Sequence, residues 1–348
     1  MVIAMTKQEE RQNISAAMGN STPLLIDMVH ESRKEKPRPH LGASQIGHSC
    51  ERWLWLSFRW AVIPEFPGRV LRIFRRGHHE ENWIVQDLRA IGVDIHSTGG
   101  SQSRVDFGSH FSGSIDGIIN YGLPEAPNKK HIAEFKTHSK KSFDDVVKKG
   151  VEKSKPVHYA QMQVYMMGLD IDRGFYLAVN KDNDQIYTER VRLDKDLAQK
   201  LIEKGKRLAL ADRMPVPIST DSTWYECRFC DAHDFCHGSK TTKEVNCRTC
   251  AHSTAKKDST WRCELFEADG IPIDYQYEGC ASHVLHPDLV PYQTKDHTEA
   301  EPIYIINGKE IINGPSGYSS KEILANPNAL GDPMIDTIRN TFDGEVTG

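Results

Sequence analysis

The stretch of sequence that decides the fold is HIAEFKT, residues 131–137. Successive side chains of a β-strand point to opposite faces, so Glu134 and Lys136 share one face of the predicted strand. Ala133 and Phe135 lie on the other face, where they can pack into a core. The stretch therefore predicts a strand with an apolar back that carries a carboxylate and an ammonium group next to each other.

Hydrophobic periodicity on both sides of this strand predicts alternating strands and helices. The predicted strands are residues 103–107, 111–121, 131–137, 173–180, 185–192, 303–306 and 310–312. The predicted helices are residues 9–32, a helix capped by Ser44 that runs through 52–56, and residues 69–91, 140–153, 157–168 and 194–211. This order predicts an α/β fold in which a mixed sheet is flanked by helices.

The length of 348 residues exceeds that of an average domain. We divide the chain into a helical or flexible N-terminal segment (1–40), a main α/β domain (41–240), a cysteine-rich segment (241–290) and a C-terminal tail (291–348). The charges nearly cancel, with 44 Lys and Arg against 48 Asp and Glu, so any basic binding surface must be local. The sequence shows neither a signal peptide nor an apolar run of about 20 residues, which predicts a cytoplasmic protein without membrane attachment.

A second carboxylate precedes Glu134 by 18 positions. Asp116 interrupts an apolar stretch, where a buried carboxylate is costly unless it is paired or bound to a metal. Two carboxylates can hold a hard cation such as Mg²⁺ through oxygen, and Lys136 can orient water or offset the charge of a phosphate. Gln161 and Tyr165, four residues apart, share one face of the next helix. These residues predict metal-dependent hydrolysis of phosphodiester bonds.

Three motifs in this order carry a resemblance to a known family. Gly113-Ser-Ile-Asp116-Gly, Glu134-Phe-Lys136 and Gln161-Met-Gln-Val-Tyr165 resemble the PD-(D/E)XK nuclease superfamily over roughly residues 44–236. The resemblance is to the RecB-like exonuclease branch, which includes the nuclease domains of RecB and AddB, CRISPR-adaptation exonucleases and phage exonucleases related to that of bacteriophage lambda. It implies a restriction-endonuclease-like mixed sheet and a divalent-metal-dependent DNA exonuclease.

The resemblance also implies a biological setting, which is recombination, replication or repair in a bacterium or a phage-infected host. The substrate would be single- or double-stranded DNA ends, with a recombination or replication protein as a possible partner. Two other functions remain open. One is a non-catalytic adaptor that binds nucleic acid and uses its metal clusters structurally, and the other is an endonuclease of the same fold.

The resemblance assigns roles to the residues of the predicted site. Asp116 and Glu134 would bind Mg²⁺ or Mn²⁺ together with the carbonyl oxygen of Phe135. Lys136 would position or activate the attacking water molecule. The remaining two motif residues, which would contact DNA phosphate or order the site, are Gln161 and Tyr165.

One more acidic residue or histidine completes the site in this family. It usually follows a glycine by about four positions, which favours Glu81 after Gly77. The other candidates for this position are Glu80, His78 and His79.

The cysteines indicate metal or cluster binding, because seven of the eight follow residue 226 and two C-x-x-C pairs occur in a predicted cytosolic chain. Cys227-x2-Cys230-x5-Cys236 resembles the C-terminal triplet of the iron–sulfur members of the branch, whose fourth ligand lies far upstream, as Cys50 does. The resemblance implies one [4Fe–4S] cluster on these four thiolates. The alternatives are zinc at the same residues, or Cys50 as a buried thiol.

A second set of four cysteines follows. Its members are Cys247, Cys250, Cys263 and Cys280, with His252 and His283 as possible substitutes. Structural zinc is the first choice and a second iron–sulfur cluster is the alternative. Because the segment has few apolar residues, it would depend on a metal to fold.

Basic side chains flank the predicted site and could follow a DNA backbone. The candidates for DNA binding are Arg72, Arg75, Arg76, Lys140 and Lys141. The alternative interpretation is that these residues form solvated charged faces.

Overall fold

The protein is described here by a computed structural model that covers residues 21–33, 35–97, 104–296 and 300–347. The strands in these ranges are β1 (Leu41–Gly42), β2 (Asp94–Ser97), β3 (Arg104–Gly108), β4 (Phe111–Ser114), β5 (Gly117–Tyr121), β6 (His131–His138), β7 (Arg173–Asn180), β8 (Ile186–Arg192), β9 (Ser253–Ala255), β10 (Trp261–Cys263), β11 (Gln293–Asp296), β12 (Ile303–Ile306) and β13 (Lys309–Ile312). They form sheets of five, three, three and two strands.

The α-helices of the described residues surround these sheets. They are α1 (Thr22–Glu31), α2 (Glu51–Phe58), α3 (Gly68–Ala90), α4 (Lys140–Ser154), α5 (Pro156–Gly168), α6 (Lys195–Leu210), α7 (Tyr225–Arg228), α8 (His233–His237), α9 (Ile273–Glu278), α10 (Ser320–Ala325) and α11 (Pro333–Phe342). None of them is long and apolar enough to cross a membrane.

The largest sheet has the strand order β2-β5-β6-β7-β8 and is mixed, as predicted. β6 and β7 run parallel and are joined through α4 and α5, whereas the other neighbours are antiparallel. Its two faces pack into separate cores. Ala133 and Phe135 meet the buried side of α3 at Leu88, while Ile132 meets Met162 of α5. The alternation expected for the central strand is therefore confirmed.

The predicted strand 111–121 is wrong in one respect, because it is two strands in two different sheets. β4 pairs with β1 and β3 in a three-stranded sheet, whereas β5 pairs with β2 and β6 in the large sheet. Between them the chain passes through Ile115, which is buried, and Asp116. An unbroken apolar run hides this change of sheet, and the change places the Asp116 carboxylate at the junction.

The prediction of Ser44 as a helix N-cap is also wrong. Residues Ala43–Gln45 form a short 3-10 turn, and α2 begins only at Glu51, with Cys50 in the N-cap position. The C-terminal part of the predicted helix 9–32 is observed as α1, whereas its residues 9–20 lie outside the described residues. The other predicted helices end within three residues of those observed.

The C-terminal tail forms its own small core. The predicted strand pair is confirmed as β12 and β13, with Asn307 and Gly308 at positive φ in the turn between them. β11 adds a third strand that the sequence analysis did not predict. Tyr304 and Ile323 are fully buried in this core, and Tyr304 donates a hydrogen bond to the carbonyl oxygen of Leu285 at 2.6 Å.

Arg248 fastens the cysteine-rich segment to the α/β core. Its side chain is only 1% exposed. The guanidinium donates to the carbonyl oxygens of Phe58 at 2.9 Å and Pro39 at 2.8 Å, and to Gln276 Oε1 at 3.1 Å. None of these oxygens is a carboxylate, and the Trp60 ring centre lies 3.7 Å from the guanidinium carbon. Carbonyl dipoles and aromatic faces therefore compensate a fully buried charge.

Hydrogen bonds from the cysteine-rich segment and from Trp60 also hold the chain that leads into β1. Three successive carbonyl groups, those of residues 37–39, each accept one hydrogen bond at 2.8 Å. The donors are Tyr277, Trp60 and Arg248, respectively. The cysteine-rich segment thus holds the N-terminal approach to the core as well as the end of α2.

Candidate active site

The strand ends bring three of the predicted residues together. β5 begins directly after Asp116 and pairs with β6, where Gly117 lies opposite Ala133. Asp116 Oδ2 accepts the backbone N–H of Phe135 at 2.8 Å. On the same strand, the Lys136 ammonium contacts Glu134 Oε1 and donates to the Phe135 carbonyl oxygen at 3.2 Å. The carboxylates and the lysine are therefore neighbours across one strand pair.

Helix α5 contributes the two residues of the third motif. Gln161 donates from Nε2 to Glu134 Oε2 at 3.1 Å and so fixes the carboxylate oxygen that Lys136 does not contact. Tyr165 donates to the carbonyl oxygen of Ser114, the last residue of β4, at 2.8 Å. A Cβ atom at position 113 would lie 2.4 Å from the Tyr165 hydroxyl oxygen, so only glycine allows this approach.

The candidates for the remaining acidic position lie on helix α3 and have different surroundings. Burial, together with the charge of Asp116 and against that of Lys136, raises the pKa of Glu81 to about 7. Burial also raises the pKa of Glu80, but the nearby charges that affect this pKa are those of Arg76, Asp184 and Asp87. Glu81 therefore belongs to the acidic cluster, and Glu80 does not. The side chains of His78 and His79 are exposed.

The Lys136 ammonium offsets part of the negative charge of this cluster. Glu134 is fully buried, and desolvation raises its pKa, while the adjacent Lys136 opposes that rise. Burial alone would lower the pKa of Lys136, but Glu134 and Asp116 outweigh burial and raise it. The lysine side chain is 26% exposed and stays charged. The cluster thus holds a cation between a carboxylate and a carbonyl oxygen.

That arrangement suits a hard divalent cation. The donors available are the carboxylates of Glu81, Asp116 and Glu134 and the carbonyl of Phe135, all of them oxygen. Within the described ranges, no group of three or more His, Cys, Asp or Glu side chains is close enough to hold a metal. In the acidic cluster the Lys136 ammonium lies between Glu134 and the Phe135 carbonyl, where a divalent cation would have to displace it.

The basic residues proposed for DNA binding are placed unequally. The guanidinium of Arg72 pairs with Asp27 of α1, which docks against the start of α3, and a role in DNA binding stays a prediction. Arg76 donates to the carbonyl oxygen of Lys181 at 2.8 Å but is exposed. Lys140 pairs with Asp144 at 2.8 Å. The side chains of Arg75 and Lys141 are exposed.

The first cysteine set lines a single pocket. Cys50 enters it from the start of α2, and the other three come from α7, α8 and the turn between them. These three are Cys227, Cys230 and Cys236. Burial, together with the charge of Cys50, raises the pKa of Cys230 to about 11. The pocket also contains His48, His233 and His237. The four cysteines, far apart in sequence, thus line one pocket without forming a group that could hold a metal among the described residues.

The thiols of the second cysteine set influence one another, although among the described residues no three of them are close enough to hold a metal. Burial, together with the nearby thiols of Cys250, Cys280 and Cys263, raises the pKa of Cys247 to about 12. His283 cannot substitute as a ligand without losing its present partners. Its Nδ1 is bonded to Ser320 at 2.7 Å, and its Nε2 faces two oxygens, those of Asn246 and Thr249. His252, by contrast, has a buried Nε2 without a hydrogen-bond partner.

Sequence reasoning missed a group of polar residues behind the site. Tyr176, His138 and His158 are linked by hydrogen bonds directly beside Glu134 and Lys136. A weak signal was available for His138, which continues the alternation of the central strand. Tyr176 lies in an apolar strand, where nothing in the sequence distinguishes it from a core residue.

No protein-family model matches the chain, and no curated protein is significantly similar to it. Among solved structures, that of SSO0001 has a TM-score of 0.38 and 15% identity, covering 60% of this chain and 92% of that one. LHK-Exo in complex with dAMP has a TM-score of 0.37 and 17% identity, covering 49% and 86%. The alkaline exonuclease LHK-Exo from Laribacter hongkongensis has a TM-score of 0.34 and 16% identity, covering 49% and 87%. Similarity at this level establishes neither activity nor substrate.

Proposed function

We propose that this chain is a divalent-metal-dependent DNA nuclease of the PD-(D/E)XK type, acting as an exonuclease. The observation that carries the proposal is the approach of Asp116, Glu134 and Lys136 on adjoining strands, with Glu81 of α3 near enough for its pKa to respond to Asp116 and Lys136. Carboxylates and a lysine that are buried or partly buried are costly for stability, which indicates that they are kept for chemistry. Recombination, replication or repair of DNA is the setting we infer.

The residues divide the chemical work among themselves. Glu81, Asp116, Glu134 and the Phe135 carbonyl would hold Mg²⁺ or Mn²⁺, which lowers the pKa of bound water and offsets phosphate charge. Gln161 keeps the Glu134 carboxylate in place by its hydrogen bond. Lys136, released from Glu134, is charged and long enough to orient the attacking water or a phosphate oxygen.

DNA would approach along the basic side chains that remain free to bind it. Arg75, Arg76 and Lys141 are exposed and carry no carboxylate partner among the ion pairs of the described residues. Because such contacts are made to phosphates, they would support binding of any sequence, as an exonuclease requires. Arg72 and Lys140 are already paired with carboxylates and would contribute less.

Cleavage of end-labelled linear DNA tests this proposal. We expect stepwise shortening with Mn²⁺, none with EDTA, and a loss of at least about a hundredfold in Lys136→Ala. A covalently closed circle of the same sequence should remain intact, because an exonuclease needs an end. Cutting of the circle would show an endonuclease. Binding without any cleavage would support the adaptor function.

We also propose that the cysteines hold two metal centres, with the domain division 41–240, 241–290 and 291–348 after the segment 1–40. Cys50, Cys227, Cys230 and Cys236 would hold a [4Fe–4S] cluster, supported by their common pocket. The second set, supported by the mutual effects of its thiols on their pKa values, would hold zinc. Its members are Cys247, Cys250, Cys263 and Cys280.

The two centres can be told apart by single substitutions. Anaerobically purified protein is expected to be brown, with absorbance near ~400 nm from thiolate-bound iron. Cys227→Ser should bleach this colour, whereas Cys247→Ser should lower the zinc content and leave the colour unchanged. Colourless wild-type protein with two zinc atoms would contradict the cluster, and equal loss of both metals in each variant would contradict separate centres.

A further inference from the structure

A chain of hydrogen bonds lies behind the candidate site. The Tyr176 hydroxyl is 2.8 Å from His138 Nε2 and 3.1 Å from His158 Nδ1. Ser142 Oγ is 3.0 Å from the other nitrogen of His138. Tyr176 is 0% exposed and His138 only 7%. The order Ser142–His138–Tyr176–His158 thus connects the first turn of α4 to the first turn of α5 through the large sheet.

This chain lies beside the reacting groups. Tyr176 on β7 is the register partner of Glu134 on β6, and His138 follows Lys136 on the same face of β6. The ring centres of His138 and His158 are 5.9 Å apart. His158 is bonded to Tyr176, the residue opposite Glu134, and its ring is tilted against that of His138, so it lies near the stretch of β6 that bears Lys136.

The proton positions in this chain have two self-consistent arrangements. A phenol has one proton, so Tyr176 must accept from one imidazole and donate to the other. Burial lowers the pKa of His158 to about 3 and that of His138 to about 4, so both rings are neutral. If His158 donates from Nδ1, its Nε2 carries a lone pair. If His158 accepts at Nδ1, its Nε2 carries a proton.

The nearby charge selects between these arrangements. Lys136 is a cation close enough to His158 to lower the imidazole pKa, second only to burial. A cation attracts a nitrogen lone pair and repels an N–H group. The favoured order therefore runs from His158 Nδ1–H to Tyr176, from the Tyr176 hydroxyl to His138, and from His138 Nδ1–H to Ser142.

We propose that this chain positions Lys136 by presenting the Nε2 lone pair of His158 as a second acceptor for its ammonium group. The inference rests on the proposed function, because a cation bound by Glu134 and the Phe135 carbonyl would displace the ammonium from these oxygens. His158 then receives the ammonium, which stays beside the site instead of turning into solvent. His158 and Tyr176 are positioning residues in this account.

The tautomer of His158 can be measured without any nuclease activity. In full-length protein labelled with ¹⁵N-histidine, long-range ¹H–¹⁵N spectra distinguish the two neutral tautomers, and the His158→Leu spectrum assigns the signal. We expect the Nδ1–H form in wild type and a mixture in Tyr176→Phe. The Nε2–H form in wild type would overturn the inference even if the protein proves to be a nuclease.

The transfer of Lys136 is tested by adding Mg²⁺ alone to the same samples. We expect the His158 Nε2 resonance to shift in wild type and to stay unchanged in Lys136→Met. A shift of equal size in both proteins would contradict the transfer, because it would then report the ion and not the lysine. Absence of any shift in wild type would also overturn it.

Kinetics supply a second test. Gln places its amide oxygen near the position of Nε2, so His158→Gln should keep most of the activity, whereas His158→Leu should lower kcat about tenfold with unchanged KM. Equal losses in both variants, or a loss confined to KM, would contradict a role through Lys136. If no variant and no wild-type protein cleaves DNA, the proposed function has failed, and the tautomer result still decides the inference.

Discussion

Glu81→Gln is expected to lower the rate of DNA hydrolysis by at least about a hundredfold, while Glu80→Gln leaves it within about twofold. The two residues are adjacent on α3 and have the same chemistry. Only Glu81 is affected by the charges of Asp116 and Lys136, whereas Glu80 lies among Arg76, Asp184 and Asp87. An amide in place of the Glu81 carboxylate removes one anionic oxygen donor from the cluster.

The pair also controls for folding, because both side chains are on the same helix and both substitutions are isosteric. The measurement is the initial rate on linear DNA over a range of Mn²⁺ concentrations. We expect Glu81→Gln to need far more Mn²⁺ for half-maximal rate. Equal rates in the two variants, or a larger loss in Glu80→Gln, would contradict the assignment of the acidic cluster.

Arg248→Met is expected to lower the free energy of unfolding by about 3 kcal/mol or more. The substitution removes a guanidinium that satisfies two buried oxygens and the carbonyl oxygen of Pro39, and unsatisfied buried acceptors cost about 1–3 kcal/mol each. It also removes stacking on Trp60. Burial lowers the pKa of Arg248 to about 9, so the group is still charged at neutral pH. Arg248→Lys should also lower the free energy of unfolding, because an ammonium cannot reproduce the planar set of donors.

The matched control is Arg213→Met. Arg213 pairs with Asp288 at 2.8 Å, but its side chain is 79% exposed, so its loss should cost under about 1 kcal/mol. Urea unfolding midpoints of both variants, prepared with equal metal content, provide the comparison. If Arg248→Met unfolds at the wild-type urea concentration, the cysteine-rich segment is not held to the core in the way described.

The sequence predicted those parts of the fold that depend on local patterns. Alternation in β6 and the apolar run of β7, which pairs with β8 in a predicted hairpin, identified the large sheet, because each face of a strand must match its surroundings. The break between β4 and β5 was not predicted, since an apolar run looks the same whether the chain stays in one sheet or changes to another. Whether the chain changes sheet is determined by tertiary contacts.

The candidate site was predictable in its residues but not in all of its contacts. Residue types, spacing and the family resemblance brought Asp116, Glu134 and Lys136 into one hypothesis and favoured Glu81 over Glu80. The different surroundings of these two residues depend on the rotation of α3, which the sequence does not show. Arg72 was assigned to DNA because it belongs to a basic helical face that flanks the predicted site. Its pairing with Asp27 depends on the docking of α1, which no local pattern encodes.

Buried arginine is the clearest case that sequence patterns miss. Arg248 lies between two cysteines of a loop that is predicted to bind a metal, where a charged residue is normally exposed. Its burial depends on aromatic and carbonyl partners that come from segments far away in the chain, including Pro39 and Phe58.

The cleavage rate of one end-labelled linear DNA, measured as Mn²⁺ is titrated into wild type and Glu134→Gln, tests the central claim most directly. Glu134 is the buried carboxylate that Lys136 and Gln161 both contact, so its neutral variant should leave the strand pairing intact and disable the acidic cluster. We predict a rate that rises with Mn²⁺ and saturates in wild type, and no cleavage in Glu134→Gln. Cleavage that persists in EDTA, or equal rates for the two proteins, would contradict the account.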